Sequence, residues 1–254
     1  MKRAMAVLAA AMLLWGASAS ADTLDFLKPF WMQMMDGVSN TASGKIPENV
    51  TVTCADERLT VEACGVLLEN DYSAEAHVYA VLKNTGSERL PIRSVQMTVL
   101  GTNGNTLHQE NYVSYMPSVV EPGETMLVSE WMYDFVKEIG KVDSIQISVE
   151  TASRVNEKWK QLGDVRAWLD GDYLCVEFTN TTEKTLFGVI CAATVSDANG
   201  QILDMMMQSP YDTDDLGIAQ GSSVVWRKRL EDAATLKIGT DAVCKAWAYW
   251  MEDL

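Results

Sequence analysis

The chain has 254 residues with 35 acidic against 20 basic, a net charge of −15. A field of that sign repels nucleic acid and anionic lipid and favours cations or basic partners. The length suits two domains of ordinary size, each able to bury its own core.

The N-terminus reads as an export signal over residues 1–21. Lys2 and Arg3 supply the charge, Ala4 to Trp15 an apolar run, and Ala17-Ser18-Ala19 and Ala19-Ser20-Ala21 the small-residue cleavage sites, with a mature start at Asp22. The run is shorter than the roughly 20 residues needed to span a bilayer, and no later stretch is long and uncharged enough, so no membrane span is expected in the mature chain. No cysteine precedes Cys54, which excludes a lipoprotein attachment at the cleavage site. The expected compartment is extracytoplasmic, the periplasm or the medium. Cleavage removes two basic residues and leaves 18 against 35 acidic ones, a mature net charge of −17.

Residues 22–49 follow as an N-terminal segment. Pro29 at a first helical position and Gly37 just past a last one bracket an apolar stripe of Phe30, Trp31, Met34 and Met35, the pattern of a short helix. From Val50 the period changes to two. Val50 to Glu69 reads as strands about a turn near Asp56 to Arg58, and His77 to Leu82 as another strand ending in the turn Asn84-Thr-Gly86. Ile92 to Val99 alternates Val95, Met97 and Val99 against polar neighbours. Asn103-Gly104 predicts a type I′ hairpin, because both residues adopt positive φ at least cost. Glu121-Pro122-Gly123 is a turn before a strand over Thr125 to Trp131, and Ser144 to Glu150 closes this first unit.

Val81 to Leu107 returns in weaker form as Glu177 to Leu203. One offset of 96 residues places Asn84 on Asn180, Thr98-Val99 on Thr194-Val195, Asn103-Gly104 on Asn199-Gly200 and Leu107 on Leu203. Fixed-offset matches at turn and core positions are the mark of a duplicated domain-sized unit. The predicted organisation is therefore a unit at 50–150, a linker at 151–164 and a second unit at 165–254. The second unit's strands are expected at Val165 to Leu169, Tyr173 to Asn180, Leu186 to Ser196, Gln201 to Gln208, Ser223 to Arg229 and Ala242 to Trp250. Short strands with little helix between them predict an all-β fold of two tandem antiparallel β-sandwiches.

A strand ending in Asn-Thr, a second strand running into a small-polar-Gly hairpin, and a Pro-Gly turn before the next strand resemble the bacterial secreted immunoglobulin-like domains named for an F-x-L-Y-D signature, and their telokin-like relatives. The resemblance covers residues 50–150 and 165–251. In the signature segment the chain has Met97, Val99, Leu100 and Gly101 in the first copy, and Ala193, Val195, Ser196 and Asp197 in the second, where Asp197 and the following Gly200 agree with it. What the resemblance implies is two tandem immunoglobulin-like sandwiches, extracytoplasmic and without catalytic residues to carry over.

Five cysteines leave one unpaired in any full pairing. Cys54 and Cys64 are the most local disulfide candidates, since the intervening DERL can turn, against the alternative of apolar thiols packed in strands. Closely spaced Asp212, Asp214 and Asp215 before Gly217 are the candidate calcium ligands, although the spacing misses the D-x-D-x-D-G pattern. Met205, Met206 and Met207 point to alternate faces of a strand, which favours core filling over a copper site. Trp247, Tyr249 and Trp250 are the candidate ligand platform for a protein or glycan, with the sandwich core as the competing place for them. His77 and His108 are the only histidines, and neither lies in a nucleophile motif. The expected function is a non-catalytic binding or interaction module with no required cofactor. The alternatives are a calcium- or metal-responsive module and an unrecognised hydrolase.

Overall fold

A computed structural model describes residues 50–68, 75–133, 139–153, 157–208, 217–235 and 237–252, all within one compact unit, Thr41–Leu254. The signal segment and the helix expected near Pro29 lie outside the described residues.

The described residues form an all-β fold with four sheets. The first nine strands are β1 (Thr51–Cys54), β2 (Leu59–Leu68), β3 (Ala76–Asn84), β4 (Leu90–Gly101), β5 (Thr106–Glu110), β6 (Ser114–Met116), β7 (Val119–Val120), β8 (Thr125–Met132) and β9 (Val142–Thr151). They make two sheets, ordered β1-β9-β4-β5 with β7 on β4, and β2-β3-β8-β6. The next seven are β10 (Trp159–Gln161), β11 (Val165–Asp170), β12 (Tyr173–Thr179), β13 (Ile190–Ser196), β14 (Ile202–Gln208), β15 (Ser223–Arg229) and β16 (Val243–Met251), with a short helix α1 (Asp232–Thr235) after β15. They make two more sheets, β10-β16-β13-β14 and β11-β12-β15. The pairings are antiparallel as expected, with one departure: β1 runs parallel to β9, with Val52 opposite Ile145. The segment expected as a linker is partly sheet, because β10 pairs with the end of β16.

The alternation in β4 and β9 turns Val95, Met97, Val99, Ile145 and Ile147 inward, onto Val78, Ala80, Leu82, Met126 and Val128 of the facing sheet. That is one sandwich core. The opposite face of the β2-β3-β8-β6 sheet is not left to water. Leu67, Tyr79, Val81, Met116 and Leu127 join a second core with Leu174, Val176, Phe178, Ala193, Val195 and Ala248 from the later strands. β3 is thus covered on both sides, which is why eight of its nine residues are buried. The close approach is set at Gly65, where an added Cβ would overlap the carbonyl oxygen of Ile202 in β14 and lie 2.7 Å from its carbon.

Two asparagines close equivalent corners. Asn84 is fully buried, and its Nδ2 donates to the carbonyls of Glu88 at 2.8 Å and Val120 at 3.0 Å, while its Oδ1 accepts from Gly86 N–H at 3.0 Å. Its backbone N–H donates to Glu124 and its carbonyl accepts from Gly123. Asn180, also fully buried, donates to Lys184 at 2.8 Å and Ile218 at 2.7 Å, and accepts from Thr182 N–H at 3.0 Å. Its backbone bonds Ser222 and Gly221 in the same two senses. Gly123 (φ +82°) and Gly221 (φ +76°) occupy the left-handed region at matched turn positions. The hairpins expected at Asn103-Gly104 and Asn199-Gly200 are present between β4 and β5 and between β13 and β14, but shifted by one residue. Gly104 N–H bonds the Gly101 carbonyl and Gly200 N–H that of Asp197, so each glycine follows the turn's two central residues rather than being one of them.

Candidate functional site

The junction between the two sets of strands carries a buried polar cluster. Asp204, on β14 with no exposed surface, accepts from Tyr79 Oη at 3.1 Å, Lys228 Nζ at 2.7 Å and its neighbour's N–H, Met205, at 2.6 Å, all at Oδ1, while Oδ2 accepts from Glu231 N–H at 3.2 Å. Lys228 also pairs with Glu231 at 3.3 Å. A carboxylate taken out of water is stable only with such a set of donors, and here one of them comes from the first half of the chain. Tyr79 Oη lies 3.0 Å from His77 Nδ1, which extends the chain of polar contacts to His77, buried at 8% exposure. Burial, ahead of the surrounding charges, holds the His77 imidazole below its usual value and so neutral.

From His77 a column of rings leads outward. His77 and Trp131 are cross-strand partners in β3 and β8, with ring centroids 4.9 Å apart at 33°, and Trp131 stacks on Tyr133 at 4.8 Å and 25°. Trp131 is 41% and Tyr133 60% exposed. Residues two apart on a strand share a face, so one face of β8 is apolar and covered at Leu127 and open and aromatic at its far end. An exposed aromatic stack gives a rigid, largely apolar contact surface at small conformational cost.

A separate cleft of about 590 Å³ is lined by Val113 to Ser118, Trp159, Ile190 and Met207. Its wall is tied together by Trp159 Nε1–H donating to Ser118 Oγ at 2.9 Å and by a Ser118 to Glu157 hydrogen bond. Ser118, Trp159 and Glu157 are therefore engaged with one another.

The platform expected at the end of the chain is corrected. Tyr249 is fully buried and its hydroxyl donates to the Thr125 carbonyl at 3.0 Å, because the β16 face that it shares with Trp247 is turned toward the first set of strands. Trp247 and Trp250 are half-buried against the same core. Met205 and Met206 are buried there as filling, in line with their expected role. Asp212, Asp214 and Asp215 lie outside the described residues.

Cys54 and Cys64 are free thiols rather than a disulfide. The DERL turn between them does form, with Leu59 N–H on the Asp56 carbonyl, but it carries the chain from one sheet into the other. Each sulfur packs half-buried against the first core, and burial pushes both thiols up. The hydroxyl beside His77 belongs to Tyr79, which is 1% exposed and donates to Asp204, an architectural use of the group. His108 sits in β5 opposite Val99.

The column of rings from His77 was missed because its inner contact depends on register. Only the pairing of β3 with β8 sets His77 beside Trp131, and the available signal was the alternation Trp131-Met132-Tyr133 at a strand end. Among the described residues no helix is long and apolar enough to cross a membrane. No family model matches the chain, and no curated protein matches it. Among solved structures it is similar to the crystal structure of red sea bream transglutaminase, at 12% identity over 69% of this chain and 27% of that one, with a TM-score of 0.23, a likeness too slight to carry an argument.

Proposed function

We propose that the protein is an exported, non-catalytic binding module built from a duplicated immunoglobulin-like unit, with the Trp131–Tyr133 stack as its contact surface. The duplication is supported by the two asparagine corners, whose hydrogen bonds match partner for partner at offsets of 96 and 98 residues. Export rests on the charged, apolar and small-residue pattern of the first 21 residues. The observation that carries the binding reading is the exposure of two stacked rings on a face that elsewhere is buried against another sheet. A photo-crosslinking amino acid placed at position 133 in the producing cells tests it, with position 112 as the comparison, since Tyr112 is 90% exposed elsewhere. Adducts from 133 and not from 112 are expected. Equal labelling at the two positions, or none, would remove the stack from consideration.

A further inference from the structure

We infer that the Trp131–Tyr133 stack receives the guanidinium group of an arginine in a basic segment of a partner protein. The inference rests on the binding reading above and names the partner's chemistry.

The faces of aromatic rings are electron-rich and attract a cation held within roughly 6 Å of the ring centroid. His77 contacts Trp131 at a tilt and Tyr133 stacks on it, which leaves Tyr133 as the exposed end of the column. A planar guanidinium fits such an end by stacking parallel to it. The inner end of the column lies among charges of the complementary sign: His77, in ring contact with Trp131, feels the carboxylates of Glu231, Asp204 and Glu75 against the single ammonium of Lys228. The sequence as a whole carries a net −15, these four groups included. A neutral sugar would gain nothing from that field, and an anionic ligand would be repelled by it.

The protein already uses this pairing on another sheet. The Arg166 guanidinium lies 5.4 Å above the Trp168 ring, and that of Arg227 4.9 Å above Tyr173. Both rings belong to the β11-β12-β15 sheet and are half-buried. Among the described residues, no arginine of this chain is placed over Trp131 or Tyr133 in that way.

The test is titration of the full mature chain with a hexa-arginine peptide at about 0.15 M salt, where diffuse surface attraction is screened beyond roughly 8 Å. Calorimetry and tryptophan fluorescence provide the readouts. Saturable binding of one peptide per chain is expected, weakened roughly tenfold or more by Tyr133→Ala and within about twofold of the parent in Tyr112→Ala. Tyr133 is mostly exposed, so its truncation leaves the fold intact, and a melting curve checks this. Trp131→Ala should weaken binding as well. Absence of binding overturns the inference, as does equal affinity in Tyr133→Ala, which would mean diffuse charge attraction only. Cellohexaose binding at this face with no hexa-arginine binding overturns it in favour of a glycan. Crosslinks from position 133 without hexa-arginine affinity would sink this inference and leave the binding reading standing, whereas absence of both would sink the two together.

Discussion

Gly65 is the sharpest test of how the two halves meet. A methyl group there overlaps the Ile202 carbonyl oxygen and sits 2.7 Å from its carbon and 3.1 Å from its Cα, where carbon atoms normally stand at roughly 3.5–4.0 Å. The obstacle is backbone on both sides, so no side chain can rotate away. β2 and β14 must separate by more than about 1 Å, and a gap of even that size forfeits a quarter to a half of the contact energy across it. Five side chains of the first half lie on that face: Leu67, Tyr79, Val81, Met116 and Leu127. At about 2 kcal/mol for burying each, a quarter lost from all five is roughly 2–3 kcal/mol, the range found for overpacked cores. Urea unfolding of Gly65→Ala followed by tryptophan fluorescence measures the loss. Gly163→Ala is the control, since no atom lies within 4 Å of a Cβ at that position. A Gly65→Ala midpoint equal to that of the parent would show that the β2–β14 approach is looser than described, and the shared core with it.

The two asparagine corners should be equally costly to break. Asn84→Asp and Asn180→Asp each replace an amide that donates to two carbonyls, and each should lose about 3 kcal/mol in chemical denaturation; a large loss at one and none at the other would separate the corners. His77 is held neutral by burial while the unfolded chain protonates near pH 6.5, so the unfolded state binds more protons below that point. Stability therefore falls as pH drops from about 6.5 toward the lower folded value, at no more than about 1.4 kcal/mol per unit for this group. His77→Gln should flatten the profile between pH 5 and 7, and superimposable curves would remove the histidine from the account. Glu124 has a buried Oε2 without a partner among the described residues, and burial raises its carboxyl. Its charged form opposes folding above the unfolded value, so Glu124→Gln should raise stability slightly at pH 7, by a few tenths of a kcal/mol once solvent screening is allowed for, an effect that shrinks toward pH 4. A loss at pH 7 would contradict that.

Local features were the legible part of this fold. Ser223 to Arg229 is a strand with the expected bounds, and the Pro-Gly turn sits where the left-handed Gly123 requires. These signals are local because period, turn chemistry and φ are properties of a few consecutive residues. What failed was the assignment of faces. Tyr249 and Trp247 alternate as surface aromatics on a half-exposed strand would, but the same alternation describes a strand whose outer side meets another sheet. The hint lay in β3, where His77-Val-Tyr-Ala-Val-Leu82 is apolar on both sides, the pattern of a doubly covered strand. Which sheet does the covering is a long-range fact that no window of one sequence contains. The placing of His77 beside Trp131 escaped for the same reason, since the two residues are 54 apart in the chain.

The doubly covered sheet also bears on the order in which the chain is made. Synthesis runs from the N-terminus, so the strands through Thr151 can assemble before β14 exists. In that interval Leu67, Tyr79, Val81, Met116 and Leu127 present an uncovered apolar surface. An unfinished or truncated chain is therefore a sticky object, even though its first core is complete, and the second half acts for the first as a tethered escort that arrives only when translation ends.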